Sequence, residues 1–407
     1  MSSRTVLIVS YHYPPSTTPG AIRVSAMARR LSARGWNVVV VTATGGSAGD
    51  GNTIDVIRTS AHAPVADGPG QPVIATPRPA GLARFARAFA IPDAYTGWGA
   101  DLNRAVASAL DTHAVDVVLS SSPPHSSQRS LAALHRRRRF RWVAEFRDPW
   151  MFPNRRRLSR ASAAWQRHME ASVVTRCDRV IANTDGNRTE LLAGVRGLDP
   201  ARVVVIPNGF DAAHVSGPAP VPSSFDLTYV GEIYPGMFDV YVEALAGLRA
   251  QDPARIPTLE VFGTLDSRER RRLAERGLDR FVEHRGFVSH RESVDAMRAA
   301  RALLLLLPGN DRWRTCVPSK LYWYLGARRP VIAFAPDGDA GQVLRDTGAG
   351  WLISARTGTA PAHELAAALE KARAWTGPAH SIGAYDLDAL AARMHDVLAG
   401  VVYGTTR

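Results

Sequence analysis

The chain reads as an α/β protein made of two doubly wound parallel sheets. Short runs of Val, Ile and Leu alternate with amphipathic stretches from end to end, the pattern of repeated strand–helix–strand units. Its 407 residues suit two domains at roughly 150 residues each, and a stretch rich in Pro, Gly and Ser interrupts the alternation near the middle. In the first half a buried strand is expected at Thr5–Ser10. An amphipathic helix over Ala21–Ala33 follows, carrying Ile22, Met27 and Leu31, and Gly35 ends it. Further strands are expected at Asn37–Thr42, Ile54–Arg58, Asp116–Ser120, Arg141–Phe146, Arg179–Ala182 and Val203–Ile206, all in one sheet. Ala61–Pro79 lacks periodicity and reads as a mobile insertion. These elements make a first domain of residues 1–207.

From Asn208 to Phe225 the composition supports neither helix nor strand, so residues 208–225 read as the interdomain linker. A second domain over 226–385 follows, with strands expected at Leu227–Val230, Leu259–Phe262, Phe281–His284, Ala302–Leu307, Pro330–Phe334 and Trp351–Ile353. The last helical pattern, Leu387–Val401 within 386–407, has no strand after it and is expected to pack across the domain junction.

Composition narrows the function classes. Hydrophobic residues make 45% and charged residues 21% of the chain, which excludes disordered and fibrous proteins. Two cysteines, Cys177 and Cys316, are too few for a disulfide framework and point to a reducing compartment, the cytoplasm by default. The apolar stretch Val6–Val9 is too short for a signal peptide. The longest apolar runs, Val38–Val41 and Ala302–Leu307, fall far short of the ~20 residues of a spanning helix. The formal charge is +13, carried almost wholly by arginine, since Lys320 and Lys371 are the only lysines. An anionic partner fits that sign. Nucleic acid is not favoured, because no helix-turn-helix, RRM or zinc-finger pattern accompanies the charge. A phosphate-bearing substrate or peripheral contact with an anionic membrane fits equally. Arg136–Arg139 and Arg155–Arg157 are the basic clusters, and for the membrane Arg136–Arg139 with Phe140 and Trp142 is the candidate.

Open parallel sheets bind ligands beyond the carboxyl ends of their strands, so the chemistry belongs to the loops there. The first loop, Tyr11-His12-Tyr13-Pro14-Pro15-Ser16-Thr17-Thr18-Pro19-Gly20, runs into a helix whose N-terminus offers N–H groups to an anion, with Gly20 permitting close approach. It is neither Gly-x-Gly-x-x-Gly nor a Walker loop. The second, Ser120 to Ser127, carries His125, suited to a sugar hydroxyl or a proton near neutral pH. The third, Glu145 to Trp150, adds Arg147 and Asp148, which alternatively pair only with each other. In the second half Pro318-Ser319-Lys320 puts N–H groups, a hydroxyl and an ammonium at one helix start, a cradle for a diphosphate. Asp337-Gly338-Asp339 has the look of a metal motif, but capping of the next helix by Asp339 is the preferred reading.

Taken in order, Tyr-x-Tyr-Pro-Pro-x4-Gly, Ile91-Pro92-Asp93 with Trp98, Ser-Ser-Pro-Pro-His at 121–125, Phe-Arg-Asp-Pro-Trp at 146–150, Ile-Pro-Asn-Gly-Phe-Asp at 206–211 and Pro-Ser-Lys-Leu-Tyr at 318–322 make the chain resemble glycosyltransferase family four. It is similar in particular to the bacterial subgroup of polysaccharide and secondary-metabolite pathways. The resemblance implies the GT-B fold, two facing Rossmann-like domains with acceptor on the first and nucleotide sugar on the second. It also implies retention of anomeric configuration without a metal or other cofactor. Carried over, His125, Asp148 and Lys320 are the catalytic candidates. Gly20, Gly231, Glu232, Pro318, Ser319, Lys320 and Trp323 are expected on the donor, and Tyr13, Arg147 and Trp150 on the acceptor side, which is a small molecule or a lipid-linked one. The chain departs from the family's two-glutamate signature, for those positions hold Thr315 and Trp323. It also lacks the Arg and Lys that many relatives carry after the strand ending at Val230. A non-catalytic partner subunit of the same fold is the alternative.

Overall fold

The computed structural model describes residues 4–43, 54–59, 93, 95–150, 160–234, 236–355 and 361–404. Two compact units emerge, one holding the residues up to Asn208 together with those from Asp388 onward, the other Gly209–Leu387. The first is built on strands β1 (Arg4–Ser10), β2 (Trp36–Thr42), β3 (Ile54–Arg58), β4 (Val115–Ser122), β5 (Trp142–Phe146), β6 (Arg179–Ala182) and β7 (Val203–Val205). Its helices are α1 (Pro19–Ala33), α2 (Gly99–Thr112), α3 (His125–Arg137), α4 (Arg160–Val174) and α5 (Asp185–Gly194). The strands form one parallel sheet in the order β3-β2-β1-β4-β5-β6-β7. β1 and β2 are near-continuous apolar runs because helices cover both faces of such a sheet, and Val6 to Val9 are buried accordingly. Thr18 caps α1 by accepting from the Ala21 amide at 3.3 Å, Pro19 occupies the position where its missing N–H costs nothing, and Gly35 leaves the helix at φ +84°.

The second unit starts with a short helix α6 (Ala212–Val215). The segment 208–225 was expected to hold neither helix nor strand. In fact Asp211 caps α6 through the Ala213 amide at 3.1 Å, and the Phe210 amide donates to Tyr385 at 3.1 Å. The segment from Gly209 on is therefore folded into this unit rather than strung between two. Strands β8 (Leu227–Val230), β9 (Leu259–Phe262), β10 (Val282–Gly286), β11 (Leu303–Leu306), β12 (Val331–Ala335) and β13 (Gly350–Ser354) form a parallel sheet in the order β10-β9-β8-β11-β12-β13. The remaining helices are α7 (Asp239–Gln251), α8 (Ser267–Glu275), α9 (His290–Ala299), α10 (Ser319–Ala327), α11 (Asp339–Thr347) and α12 (Pro361–Arg373). A last helix, α13 (Leu387–Tyr403), joins the first unit. Asp339 is not the cap of α11. Gly338 holds that position, and Asp339 sits in the first turn, where its charge suits the helix dipole. Asp337 pairs with Arg345 at 3.2 Å. Ala61–Pro79, Ile91, Pro92 and Arg155–Arg157 lie outside the described residues.

Candidate functional site

Strand order reverses between β1 and β4 in the first unit and between β8 and β11 in the second. Those two switch points are where open sheets leave room for ligands, and the candidate residues cluster at them.

At the first switch point the side chains are more enclosed than their loop positions suggest. His125 opens α3 and is fully buried. Its ring stacks on Trp150 at 4.9 Å and on Phe146 at 6.0 Å, and its Nδ1 lies 3.1 Å from the Ser122 hydroxyl. Asp93 holds the start of the same helix by accepting from the Ser126 amide at 2.9 Å. The imidazole thus has no open face toward a substrate, which corrects the expectation of a reacting histidine at a loop surface. Trp150 and Tyr13, expected on the acceptor side, are core residues at 1% and 0% exposure, and the Trp150 indole donates to Gln166 at 2.7 Å. Phe140 packs half-buried against the core and Trp142 is buried, donating to Ser120 at 2.7 Å. The Trp142 ring is therefore not available to a lipid surface.

Arg147 and Asp148 remain half-buried at the end of β5. Arg147 donates to the Pro123 carbonyl at 2.8 Å, and its guanidinium covers Gly20 so closely that a Cβ there would overlap it. The space above Gly20 is therefore filled by this cation rather than left open. Beneath lies an ion pair that sequence reasoning missed. Arg23 of α1 donates to Glu145 of β5 through Nε at 3.1 Å and Nη2 at 2.8 Å, and also to the Pro207 carbonyl at 2.8 Å. Ser121 donates to the second Glu145 oxygen at 2.5 Å. Burial pushes the Glu145 carboxyl up, but the Arg23 charge and the Ser121 hydroxyl outweigh it, so the group is held below the usual range. A lone glutamate inside an apolar strand was the signal, although its partner stands far away in sequence.

The second switch point carries the stronger electrostatics. Pro318 precedes α10, Ser319 begins it, and Lys320 lies in its first turn. The Lys320 amine donates to the Tyr229 hydroxyl at 2.7 Å, lies 4.2 Å from that ring's centroid, and crosses Gly231 where a Cβ would collide with it. Gly231 needs its φ of +126° for this, and Gly263 at the same φ packs on the Gly231 carbonyl with no room for a side chain. Burial pushes the ammonium down to about 7, against the opposing pull of Glu232. The Glu232 carboxylate accepts from the Tyr234 hydroxyl. Lys320 and Gly231 are thus in contact, and Pro318 and Ser319 stand at the same helix start. Tyr229 and Gly263 were missed, the first because a tyrosine in a strand reads as core.

Trp323 lies one turn further along α10. Its neighbours Tyr322 and Tyr324 are buried at 1% and 0% exposure, while Trp323 is half-buried, edge-on to His290 at 4.8 Å and tilted to His214 at 6.1 Å. Burial, then the nearby His214, lowers the pKa of His290, so its ring is predominantly neutral at pH 7. The three rings come from α6, α9 and α10.

Residues 20–209 match the family described as the glycosyl transferase 4-like domain. The chain is 40% identical over 104 residues to a D-inositol 3-phosphate glycosyltransferase of Kineococcus radiotolerans, an alignment spanning 23% of this chain and 23% of that protein. Its fold is similar to that of a sucrose-phosphate synthase from Thermosynechococcus elongatus, with a TM-score of 0.66 at 16% identity over 99% of this chain and 100% of the other. It is also similar to Anabaena HepE in complex with UDP and glucose, with a TM-score of 0.63 at 15% identity over 98% and 100%.

Proposed function

The chain belongs to glycosyltransferase family four through its residues 20–209 and carries the GT-B fold, and from that premise we propose that it moves a sugar from a nucleotide diphosphate sugar to an acceptor hydroxyl with retention of configuration. The observation that carries the reading is Lys320, a cation with no carboxylate salt bridge among the described residues, placed over Gly231 at the start of α10. The donor diphosphate would meet the Lys320 ammonium, the Ser319 hydroxyl and the amides of the first turn. Those groups favour the charge that develops on the leaving phosphate as the bond to the anomeric carbon breaks. The acceptor oxygen takes that carbon from the same face, and its proton passes to the departing phosphate oxygen. Charge compensation is assigned to Lys320 and helix amides rather than to a metal, as the resemblance implies. HepE binds UDP and glucose, which supports a nucleotide sugar as the co-substrate here.

In the first unit Asp148 and Arg147 are the half-buried polar groups suited to an acceptor, a small molecule or a lipid-linked one from polysaccharide or secondary-metabolite glycoside synthesis. His125 supports that side by packing. Cys177 and Cys316 are both buried and neither is in a disulfide. No described helix is long and apolar enough to cross a membrane. A non-catalytic partner subunit is the second reading, favoured by Trp323 standing where the resemblance expects a glutamate.

A panel of nucleotide diphosphate sugars screened by thermal shift, followed by transfer assays on the binders, tests the proposal. Lys320→Ala is expected to lower kcat/KM by ~10²-fold or more with melting nearly unchanged. Unchanged kcat/KM removes Lys320 from the mechanism, and tight donor binding without turnover on any acceptor favours the partner-subunit reading.

A further inference from the structure

Lys320 is held by a side chain that the donor reading does not use. Tyr229 is fully buried on β8, and its hydroxyl donates its one proton to the Glu232 carbonyl at 2.8 Å. Its oxygen therefore faces Lys320 as an acceptor only, at 2.7 Å, while the ring lies against the same amine. Gly231 closes the space on the side where a Cβ would collide. From α10, Tyr324 contributes a hydroxyl already committed between the Val230 amide at 3.1 Å and the Leu304 carbonyl at 3.2 Å. From the loop after β8, Tyr234 donates to the Glu232 carboxylate. Among the described residues Glu232 is the charge that acts on Lys320, and it is not in ion-pair contact with it.

We propose that Tyr229 is a positioning residue that holds the Lys320 amine over Gly231 before the donor arrives, and that the diphosphate enters this pocket together with a proton taken up by that amine. The inference rests on the donor reading above. A half-buried cation whose hydrogen-bond partner among the described residues is a neutral phenol is poorly compensated, so in the empty pocket the free amine is favoured, in line with an ammonium pushed down to about 7. A diphosphate at hydrogen-bond range favours the ammonium. One proton then passes from solvent to Nζ, and linkage requires affinity to fall as pH rises through that range.

Titration calorimetry of the full chain with UDP at pH 6, 7 and 8, in two buffers of contrasting ionisation enthalpy, reads both quantities. The wild type is expected to take up close to one proton at pH 8 and to lose about tenfold in affinity between pH 6 and pH 8. Lys320→Arg keeps a cation that does not titrate, so it should bind UDP without this uptake and supplies the baseline for ionisation of the nucleotide and of the histidines. Tyr229→Phe keeps the ring and removes the acceptor. At unchanged melting temperature it should move the midpoint to lower pH and weaken binding at pH 7 about threefold or more. A wild-type profile that matches Lys320→Arg overturns the proton coupling and leaves the donor reading intact. A Tyr229→Phe profile that matches the wild type overturns the positioning role. If UDP, GDP, ADP and dTDP all fail to bind the wild type, the donor reading falls and this inference with it.

Discussion

Trp323 occupies the position where the resemblance expects a carboxylate on the nucleotide ribose, and its surroundings separate two roles for it. A ring packed into a core loses stability when truncated, whereas a half-exposed ring beside two histidines loses mainly what it touches. Trp323→Ala is therefore expected to weaken nucleotide affinity by about 3- to 10-fold, the scale of one stacking contact, with little change in melting temperature. Trp323→Glu should recover part of that affinity by supplying an acceptor to the ribose. Destabilisation of both variants with unchanged affinity in the folded fraction refutes the role. His125 answers the other way. Its ring is enclosed by Trp150 and Phe146, so His125→Ala should cost ~1–3 kcal/mol by leaving a cavity, visible as a lower melting temperature before any loss of turnover. A large loss of turnover at wild-type stability would return the imidazole to the reacting atoms. Position along the chain made both residues legible as candidates, but burial did not show, because the rings enclosing His125 arrive from β5 and the loop after it. Lys320 was legible through its rarity and its place before a helix. Tyr229 was not, since nothing local distinguishes a tyrosine that packs from one that also holds an amine.

Thirteen strands were legible because buried parallel strands leave long apolar runs, and the structure contains a strand at every expected place. What the runs conceal is their polar interruptions. β4 extends through Ser121 and Ser122, two residues past the expected end, and those hydroxyls join Gln128 and Glu145 in a buried network. Its charged member, Glu145, pairs with Arg23 of α1, which also donates to the Pro207 carbonyl just after β7. Removing one partner of such a pair costs about 3–5 kcal/mol, so Glu145→Gln should lower the stability of the first unit by that order at pH 7. The sign with pH follows from the depressed carboxyl. Its contribution is complete above the unfolded value near 4.5 and is lost as pH falls through the lower folded value. Denaturant melts of both proteins from pH 7 to pH 3 should converge at the acid end, and a constant gap would show that the charge is not what the pair contributes. In the other sheet the turns after β8 and β9 depend on each other through Gly231 and Gly263. Gly263→Ala places a methyl against the Gly231 carbonyl at a φ that disfavours it. A loss of ~1–3 kcal/mol in stability and weaker nucleotide binding are expected together. Intact binding in that variant would mean that Gly231 does not shape the pocket.

The chain closes by returning to the unit in which it began, and this return is where reading one segment at a time gives least. Leu387–Val401 was legible as a helix, but its destination depends on surfaces hundreds of residues earlier. On α13, Leu390, Ala391, Met394 and Leu398 are buried at 0% exposure. The Trp36 indole donates to His395 at 3.0 Å, Arg30 pairs with Asp388 at 2.8 Å, and Arg393 donates to the Val205 carbonyl. At ~1.5–3 kcal/mol for each large apolar side chain taken from water, Leu390, Met394 and Leu398 alone supply about as much as a whole domain's net stability. α13 is therefore a structural part of the first unit rather than a tail. Deleting residues 388–407 should lower or abolish the melting transition of that unit while the transition of Gly209–Leu387 stays in place, as read by calorimetry with nucleotide added to mark the second unit. The double variant Met394→Ala, Leu398→Ala should shift the same transition in the same direction by a smaller amount. If instead the nucleotide-sensitive transition moves and the other does not, the helix stabilises the wrong unit for this account, and its buried leucines would have to be reassigned.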